Sequence, residues 1–124
     1  MIARSFLLLL AVALVTLSGC GPARLDETKT YSLEMGEARA ISPPAQSKLQ
    51  TITVDYEAAP GDVTVGVFKA ADVKDLAFPQ FNKAIKADSG KKGSFAAEVP
   101  ENTEYHIIVE AKGKTDVKLH IRNR

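Results

Sequence analysis

Short runs of alternating apolar and polar residues follow one another along most of the chain after residue 30. Successive side chains of a β-strand point to opposite faces, so this two-residue period is typical of a strand with one buried face. Proline, glycine or a polar turn separates the runs and ends each strand after a few residues. The runs cover residues 30–35, 37–41, 49–56, 63–68, 95–99, 105–110 and 117–122. Together they predict an all-β fold, an antiparallel β-sandwich.

The turn sequences also predict which strands are neighbours. Residues 59–62 (Ala-Pro-Gly-Asp) favour a hairpin between the third and fourth runs. A turn centred on Gly113 would pair the last two runs and set His106 opposite His120 on one face. On the other face the same register gives three apolar pairs: Val109 with Val117, Ile107 with Leu119, and Tyr105 with Ile121.

Residues 72–87 lose the two-residue period and predict a short helical insertion. Asp72 suits a helix N-cap, and apolar residues follow it at helical spacing. Pro79 interrupts this pattern and would begin a second short helix as its first residue. We expect the insertion to cover an open end of the sheets. Residues 88–94 (Asp-Ser-Gly-Lys-Lys-Gly-Ser) predict a polar loop.

The first twenty residues have the layout of a secretion signal. Arg4 supplies a positive charge, and a 12-residue run that is apolar apart from Thr16 follows over residues 6–17. As a helix it would span about 18 Å, which is too short for a permanent crossing and typical of a signal peptide. The small residues Ser18 and Gly19 then precede Cys20. This ending, Leu17-Ser18-Gly19-Cys20, resembles the lipobox of bacterial lipoproteins.

The lipobox resemblance implies how the chain is processed and held. In that family the signal is cut before the cysteine, whose thiol receives a diacylglyceryl group and whose new amine is acylated, as by palmitate. It implies a signal peptide over residues 1–19, a lipid-carrying Cys20 with a tether over 20–28, and a domain over 29–124. Several acyl chains hold a protein stably on a membrane. A plain secretory signal and a single transmembrane anchor are the alternatives.

The residue after Cys20 and the composition bear on location and partners. Gly21 rather than Asp follows Cys20, and by the family's sorting rule this implies the outer membrane, facing the periplasm of a diderm bacterium. Lys and Arg number 16 against 15 Asp and Glu, and removing Arg4 with the signal leaves 15 against 15. A balanced charge argues against nucleic acid as a partner. Cys20 is the only cysteine, so this chain forms no internal disulfide.

Three segments of the C-terminal half support a second resemblance. They read Phe95-Ala-Ala-Glu-Val-Pro, Asn102-Thr-Glu-Tyr-His-Ile-Ile-Val and Asp116-Val-Lys-Leu-His-Ile. An apolar strand, a turn, a tyrosine-containing strand and a final alternating strand in this order are similar to the jelly-roll sandwich of pre-peptidase C-terminal-like domains. The likeness spans residues 30–124. It implies a jelly-roll-like sandwich with a binding or accessory role, and it offers no catalytic residues.

Two sets of residues are candidates for binding. His106 and His120, with Glu104 nearby, could hold Zn²⁺ or Cu²⁺, but a metal site takes three or four ligands and a pair of surface histidines is the simpler interpretation. Four lysines form the second set, and if their loops share one end of the sandwich they could meet an anionic polymer or a lipid head group. Solvated loop tips are the simpler interpretation here. The four are Lys91, Lys92, Lys112 and Lys114.

Catalysis has no organised signal in the sequence. A Ser–His–Asp set can be composed from Ser89 or Ser94, either histidine, and Asp62 or Asp116, but none lies in a nucleophile elbow. We therefore expect no enzyme and no cofactor. The sequence predicts a lipid-anchored envelope protein that acts as a non-catalytic interaction or structural module, with another envelope protein or a cell-wall polymer as partner. The alternative is a lipoprotein that binds a metal or small ligand through His106 and His120.

Overall fold

The computed structural model describes residues 24–123, which form eight β-strands and two single-turn 3₁₀ helices. The strands are β1 (Asp26–Leu33), β2 (Ala38–Ile41), β3 (Gln50–Pro60), β4 (Val63–Lys69), β5 (Lys86–Gly90), β6 (Lys92–Val99), β7 (Tyr105–Ala111) and β8 (Thr115–Asn123). The predicted signal peptide and Cys20 lie outside the described residues. Because β1 begins at Asp26, residues 26–28 belong to the sandwich and not to the predicted tether.

The strands form two four-stranded antiparallel sheets. The first sheet has the order β1-β8-β3-β6, and the second has the order β2-β7-β4-β5. Apart from the step from β4 to β5, each strand is followed in the chain by one in the other sheet. This double wrapping is the arrangement of a jelly roll. It confirms the predicted all-β antiparallel sandwich.

The predicted hairpins are wrong, although the predicted inward faces are right. β3 and β4 lie in different sheets, and so do β7 and β8. β8 pairs with β1 and β3, while β7 pairs with β2 and β4, so no residue of β7 opposes one of β8 in a ladder. The reason is that a short connection can turn within one sheet or cross over the core to the other, and the alternation of side chains is the same in both cases.

The core fills the space between the two sheets with alternate residues of each strand. It contains eighteen buried side chains: Leu33, Ile52, Val54, Tyr56, Ala58, Val63, Val65, Val67, Phe95, Ala97, Val99, Tyr105, Ile107, Val109, Ala111, Val117, Leu119 and Ile121. Removing this apolar surface from water is the main favourable contribution to folding. Gln50 is a polar exception that occupies an inward position of β3 and is 4% exposed.

The predicted helical insertion is a loop that covers an outer face of the sandwich. It contains two short 3₁₀ turns, Ala70–Asp72 and Phe81–Lys83, and Asp72 ends the first turn instead of capping a helix. Pro79 lies between the turns and leaves each half too short to stabilise an α-helix alone. The Phe81 ring packs on Phe68 with centroids 5.4 Å apart. Phe68, which faces outward from the second sheet, is therefore fully buried, so the insertion covers a face and not an open end.

The predicted polar loop over residues 88–94 is also wrong, because it contains most of β5 and the start of β6. The two strands turn at Lys91, and each lies at the edge of its sheet. Edge strands carry polar and charged residues, which hinder pairing with another chain. The segment therefore has the composition of a loop, although its backbone forms strands that pair with β4 and β3.

A tyrosine and an aspartate join the two sheets where these edge strands turn. The Tyr56 hydroxyl of β3 donates to Asp88 Oδ2 of β5 over 2.8 Å. Burial, and then the hydrogen bond to Asp88, raise the pKa of Tyr56 to about 12. Gly93 lies against this contact, because a Cβ placed there would be 2.6 Å from the Tyr56 hydroxyl and 2.7 Å from Asp88 Oδ2.

We predict that Gly93→Ala lowers the free energy of unfolding by about 1–3 kcal/mol, as inserting a methyl group into a packed site does. The buried Tyr56 ring must shift, and its hydrogen bond to Asp88 is lost. Gly113→Ala is the matched control, because nothing lies within 4 Å of a Cβ at Gly113. Urea denaturation of both variants measures the effect. Equal stability of the two would contradict the packing described for Gly93.

We also predict that the protein loses stability as the pH rises from 10 to 12. Burial, and then the charge of Glu27, raise the pKa of Tyr105 to about 12, as for Tyr56, against 10 for an unfolded tyrosine. In this window the unfolded chain gives up its phenol protons before the folded chain does. The free energy of unfolding therefore falls by up to about 1.4 kcal/mol per pH unit for each tyrosine, and it does not change for this reason below pH 10.

Urea denaturation at about pH 9 and about pH 11 tests this linkage. A Tyr56→Phe/Tyr105→Phe double variant is expected to be less stable at the lower pH, because Asp88 loses its hydrogen bond. Its further loss between the two pH values is expected to be smaller than that of the native chain. An equal loss would mean that other groups cause the alkaline unfolding.

Candidate functional site

The sandwich has two ends, and the described chain begins at one of them. The backbone N–H of Leu25 donates to Asn123 Oδ1 over 2.9 Å, and the Asn123 N–H donates to the Leu25 carbonyl over 3.2 Å. This end, which we call the N-terminal end, also carries the connections over residues 42–49, 70–85 and 100–104. The opposite end carries the connections over residues 34–37, 61–62 and 112–114, together with Lys91. We call it the lysine end.

Three of the four predicted lysines meet at the lysine end. Lys91 Nζ forms an ion pair of 2.8 Å with Asp62, and the backbone N–H of Lys112 donates to the Asp62 carbonyl over 2.9 Å. Lys114 belongs to the same connection as Lys112, and its carbonyl would lie 2.8 Å from a Cβ placed at Gly61. The side chains of Lys91, Lys112 and Lys114 are exposed. The lysine loops therefore share one end of the sandwich, as the anionic-partner hypothesis requires.

Lys92, the fourth lysine, lies apart on the outer face of the first sheet. It is the first residue of β6, opposite Glu57 of β3. Together with Lys118 and His120 it borders a shallow hollow of about 420 Å³. This hollow opens on the flank of the sandwich and not among the loops.

A larger cleft of about 620 Å³ lies at the N-terminal end. Arg24, Lys48 and Arg122 line it with one carboxylate, that of Asp26. Arg122 is paired with Asp55 over 2.8 Å, so the excess positive charge of the walls comes from Arg24 and Lys48. Gln50, from the inward face of β3, also lines it, and its Oε1 accepts from Asn123 Nδ2 over 3.1 Å.

Two N–H donors beside this cleft are buried and have no hydrogen-bond partner among residues 24–123: Gln50 Nε2 and Arg122 Nε. An unpaired buried donor costs about 1–3 kcal/mol, and an acceptor oxygen would relieve that cost. Positive walls and unpaired donors favour a ligand with carboxylate, phosphate or carbonyl oxygens. Gln50 is the sequence signal for this site, because a polar residue stands at a position that the alternation of β3 places inside the sandwich.

His120 belongs to a polar network on the outer face of the first sheet. Its Nε2 lies 2.6 Å from Asp26 Oδ1, and its Nδ1 lies 3.7 Å from Asp55 Oδ2. Arg122 Nη2 donates to Asp55 Oδ2 over 2.8 Å, and the Ser94 hydroxyl donates to Asp55 Oδ1. These residues are neighbours in the ladders of β1, β8, β3 and β6. Ser94 therefore contacts a carboxylate and not a histidine, so this network lacks the serine-to-histidine contact of a hydrolytic triad.

His106 lies on the opposite outer face, that of the second sheet, and its Nδ1 is 2.7 Å from Ser42 Oγ. The predicted cross-strand pair of His106 and His120 is therefore wrong, because β7 and β8 belong to different sheets and each histidine faces away from the core. Within residues 24–123, no three His, Cys, Asp or Glu side chains are grouped so that they could hold a metal ion. The same residues include no helix long and apolar enough to cross a bilayer.

Comparisons with known proteins give no family for this chain. No protein-family model matches this chain, and no curated protein matches it. Among solved structures it is similar to a chain from a study of the pili of Bacillus, "Bacillus endospore appendages form a novel family of disulfide-linked pili". The two share 13% sequence identity with a TM-score of 0.41, over 87% of this chain and 96% of that one. A likeness at this level carries no conclusion about function.

Proposed function

We propose that this protein is a bacterial lipoprotein, held in the cell envelope by lipid on Cys20, and that its sandwich is a non-catalytic interaction module. The lipobox Leu17-Ser18-Gly19-Cys20 supports the anchor. In a diderm cell the absence of Asp after Cys20 favours the outer membrane, facing the periplasm. In the network of Ser94, Asp55 and His120 the serine bonds to a carboxylate, so these three residues do not form a hydrolytic triad.

The observation that carries the proposal is the position of the lysine end relative to the start of the sandwich. Asp26 is six positions after Cys20, so the chain between them reaches at most about 20 Å. β1 then runs from the N-terminal end to the lysine end over eight residues, about 25 Å. Lipid on Cys20 would keep the N-terminal end next to the membrane and direct the lysine end away from it.

The lysine end suits a partner in the space beyond the membrane. Its loops are held by backbone hydrogen bonds, such as that from Lys112 to Asp62, on a rigid sandwich. Loops positioned by a rigid scaffold are common binding sites. The exposed Lys112 and Lys114 favour an anionic surface, either an acidic patch on another envelope protein or an anionic cell-wall polymer.

A second candidate function is the binding of a small ligand, and the cleft at the N-terminal end favours it. The ligand would be anionic, because Arg24 and Lys48 face one carboxylate there, that of Asp26, while Arg122 is paired with Asp55. This candidate replaces the predicted site at His106 and His120, whose side chains lie on opposite outer faces.

We predict that photo-crosslinking from position 112 in intact cells captures one recurring partner. A photoreactive residue replaces Lys112, and the matched control replaces Glu98, an exposed residue of β6 near the other end of the sandwich. We expect capture of the partner from position 112, and only in chains that carry Cys20. We expect the amount of captured partner to fall after Lys114→Glu. Equal capture from position 98 would contradict a role for the lysine end.

Two further results separate the partners and the anchor. If no protein is captured, sedimentation with purified cell wall distinguishes an anionic polymer from a protein. The Cys20→Ala chain tests the anchor, because it is expected in the soluble fraction while the native chain is expected in membranes with acylated Cys20. Unmodified Cys20 in the native chain would refute the anchor.

For the second candidate we predict that inorganic phosphate raises the midpoint of thermal unfolding, because a ligand that binds only the folded state stabilises it. Lys48→Glu is expected to abolish this rise, and Lys118→Glu, which changes an exposed lysine on the flank, is the control. A rise that persists in Lys48→Glu would place phosphate elsewhere.

A further inference from the structure

Exposed apolar side chains concentrate at the N-terminal end. In the described part of the chain four large hydrophobic residues are exposed: Met35 (76%), Leu49 (57%), Leu76 (43%) and Phe78 (73%). Met35 lies in the connection after β1, at the lysine end. The other three lie in connections that leave the strands at the N-terminal end: Leu49 in residues 42–49, beside Arg24 and Leu25, and Leu76 and Phe78 in the insertion over residues 70–85. Phe78, with Leu76 two positions before it, leaves apolar surface in water that an apolar partner would cover.

The insertion presents two of these side chains. It leaves β4 at the N-terminal end, where the Ala70 N–H donates to the Glu104 carbonyl over 2.8 Å. A tight turn follows, in which the Ala77 N–H donates to Asp75 Oδ1 over 2.9 Å and the Phe78 N–H donates to the Asp75 carbonyl over 3.1 Å. The turn holds Leu76 and Phe78 outside the fold.

Two phenylalanines of the same insertion differ in their surroundings. Phe81 packs on Phe68 and closes the outer face of the second sheet. Phe78, three positions earlier, remains 73% exposed. The insertion therefore has one aromatic residue that holds it to the sandwich and one that the sandwich leaves in contact with solvent.

We propose that Leu76 and Phe78, together with Leu49, insert into the surface of the lipid bilayer and orient the domain with its N-terminal end on the membrane. This inference rests on the lipid anchor proposed above. It adds a second contact with the membrane, made by the folded domain itself.

The anchor, together with the cations beside Leu49, favours a bilayer over a protein as the occupant of this surface. The lipidated Cys20 would keep the N-terminal end within about 20 Å of the head groups, so lipid is present there at high effective concentration. Weak apolar contacts suffice when acyl chains already hold the protein. Arg24 and Lys48 line the cleft beside Leu49, where cations attract anionic head groups. Beside Phe78 the charges are balanced, because Asp72 and Asp75 lie there with Lys74 and Lys83, so insertion at Phe78 depends on its apolar surface.

A single-tryptophan reporter tests the proposal, because the chain contains no tryptophan. Phe78→Trp places the reporter on the proposed membrane surface. Met35→Trp is the matched control, because Met35 is equally exposed but lies at the lysine end. Both variants are purified from membranes as the full lipidated protein and reconstituted into vesicles of phosphatidylethanolamine and phosphatidylglycerol, with and without brominated acyl chains.

We expect the Phe78→Trp protein to show blue-shifted emission and a loss of intensity with brominated lipid. We expect the Met35→Trp protein to show emission typical of water and no loss. Adding Leu76→Ser to the Phe78→Trp protein is expected to reduce the loss, because a neighbouring insertion contact is removed.

The remaining outcomes overturn either the inference or its premise. Lipidated protein that floats with vesicles while Phe78→Trp emission stays water-like would overturn the insertion and leave the anchor standing. Loss of intensity at Met35→Trp in place of Phe78→Trp would overturn the orientation. Protein that does not float and carries unmodified Cys20 would overturn the anchor and the insertion together.

Discussion

The pairing of β8 with β1 on one side and β3 on the other is the contact on which the rest of the structure depends. It places the last strand of the chain at the centre of the first sheet and beside the first strand. Its inward residues Val117, Leu119 and Ile121 are almost fully buried. The same pairing ties Leu25 to Asn123 and so fixes the end of the sandwich at which the described chain begins.

The wrapping of the chain across two sheets determines which polar residues can act together. His106 and His120 occur at similar positions in adjacent strands of the sequence, yet they lie on opposite outer faces. Lys91 and Lys112 are far apart in the sequence, yet both contact Asp62. In a jelly roll, two residues come together when their loops lie at the same end of the sandwich, even if they are far apart in the sequence.

The sequence predicted the fold class and the inward faces, because both depend on a local period of two. It did not predict strand pairing, since the alternation of β7 and β8 is the same whether they are partners or lie in opposite sheets. It missed β5 because an edge strand such as Lys86–Gly90 has the polar composition of a loop. For the cleft, Gln50 at an inward position was a readable signal, but its neighbours Arg24 and Arg122 come from distant strand ends that only the pairing brings together.

The two ends of the sandwich differ in ways that a symmetrical scaffold does not require. The lysine end has exposed cations on loops that hydrogen bonds hold in place, whereas the N-terminal end has a positively charged cleft beside exposed leucine and phenylalanine. If the domain turned freely on its tether, Phe78 would remain in water, where an exposed aromatic side chain favours aggregation. If the membrane covers that end, the exposed apolar residues have a partner, the basic cleft faces phosphate, and the lysine loops are the part left to meet the rest of the envelope.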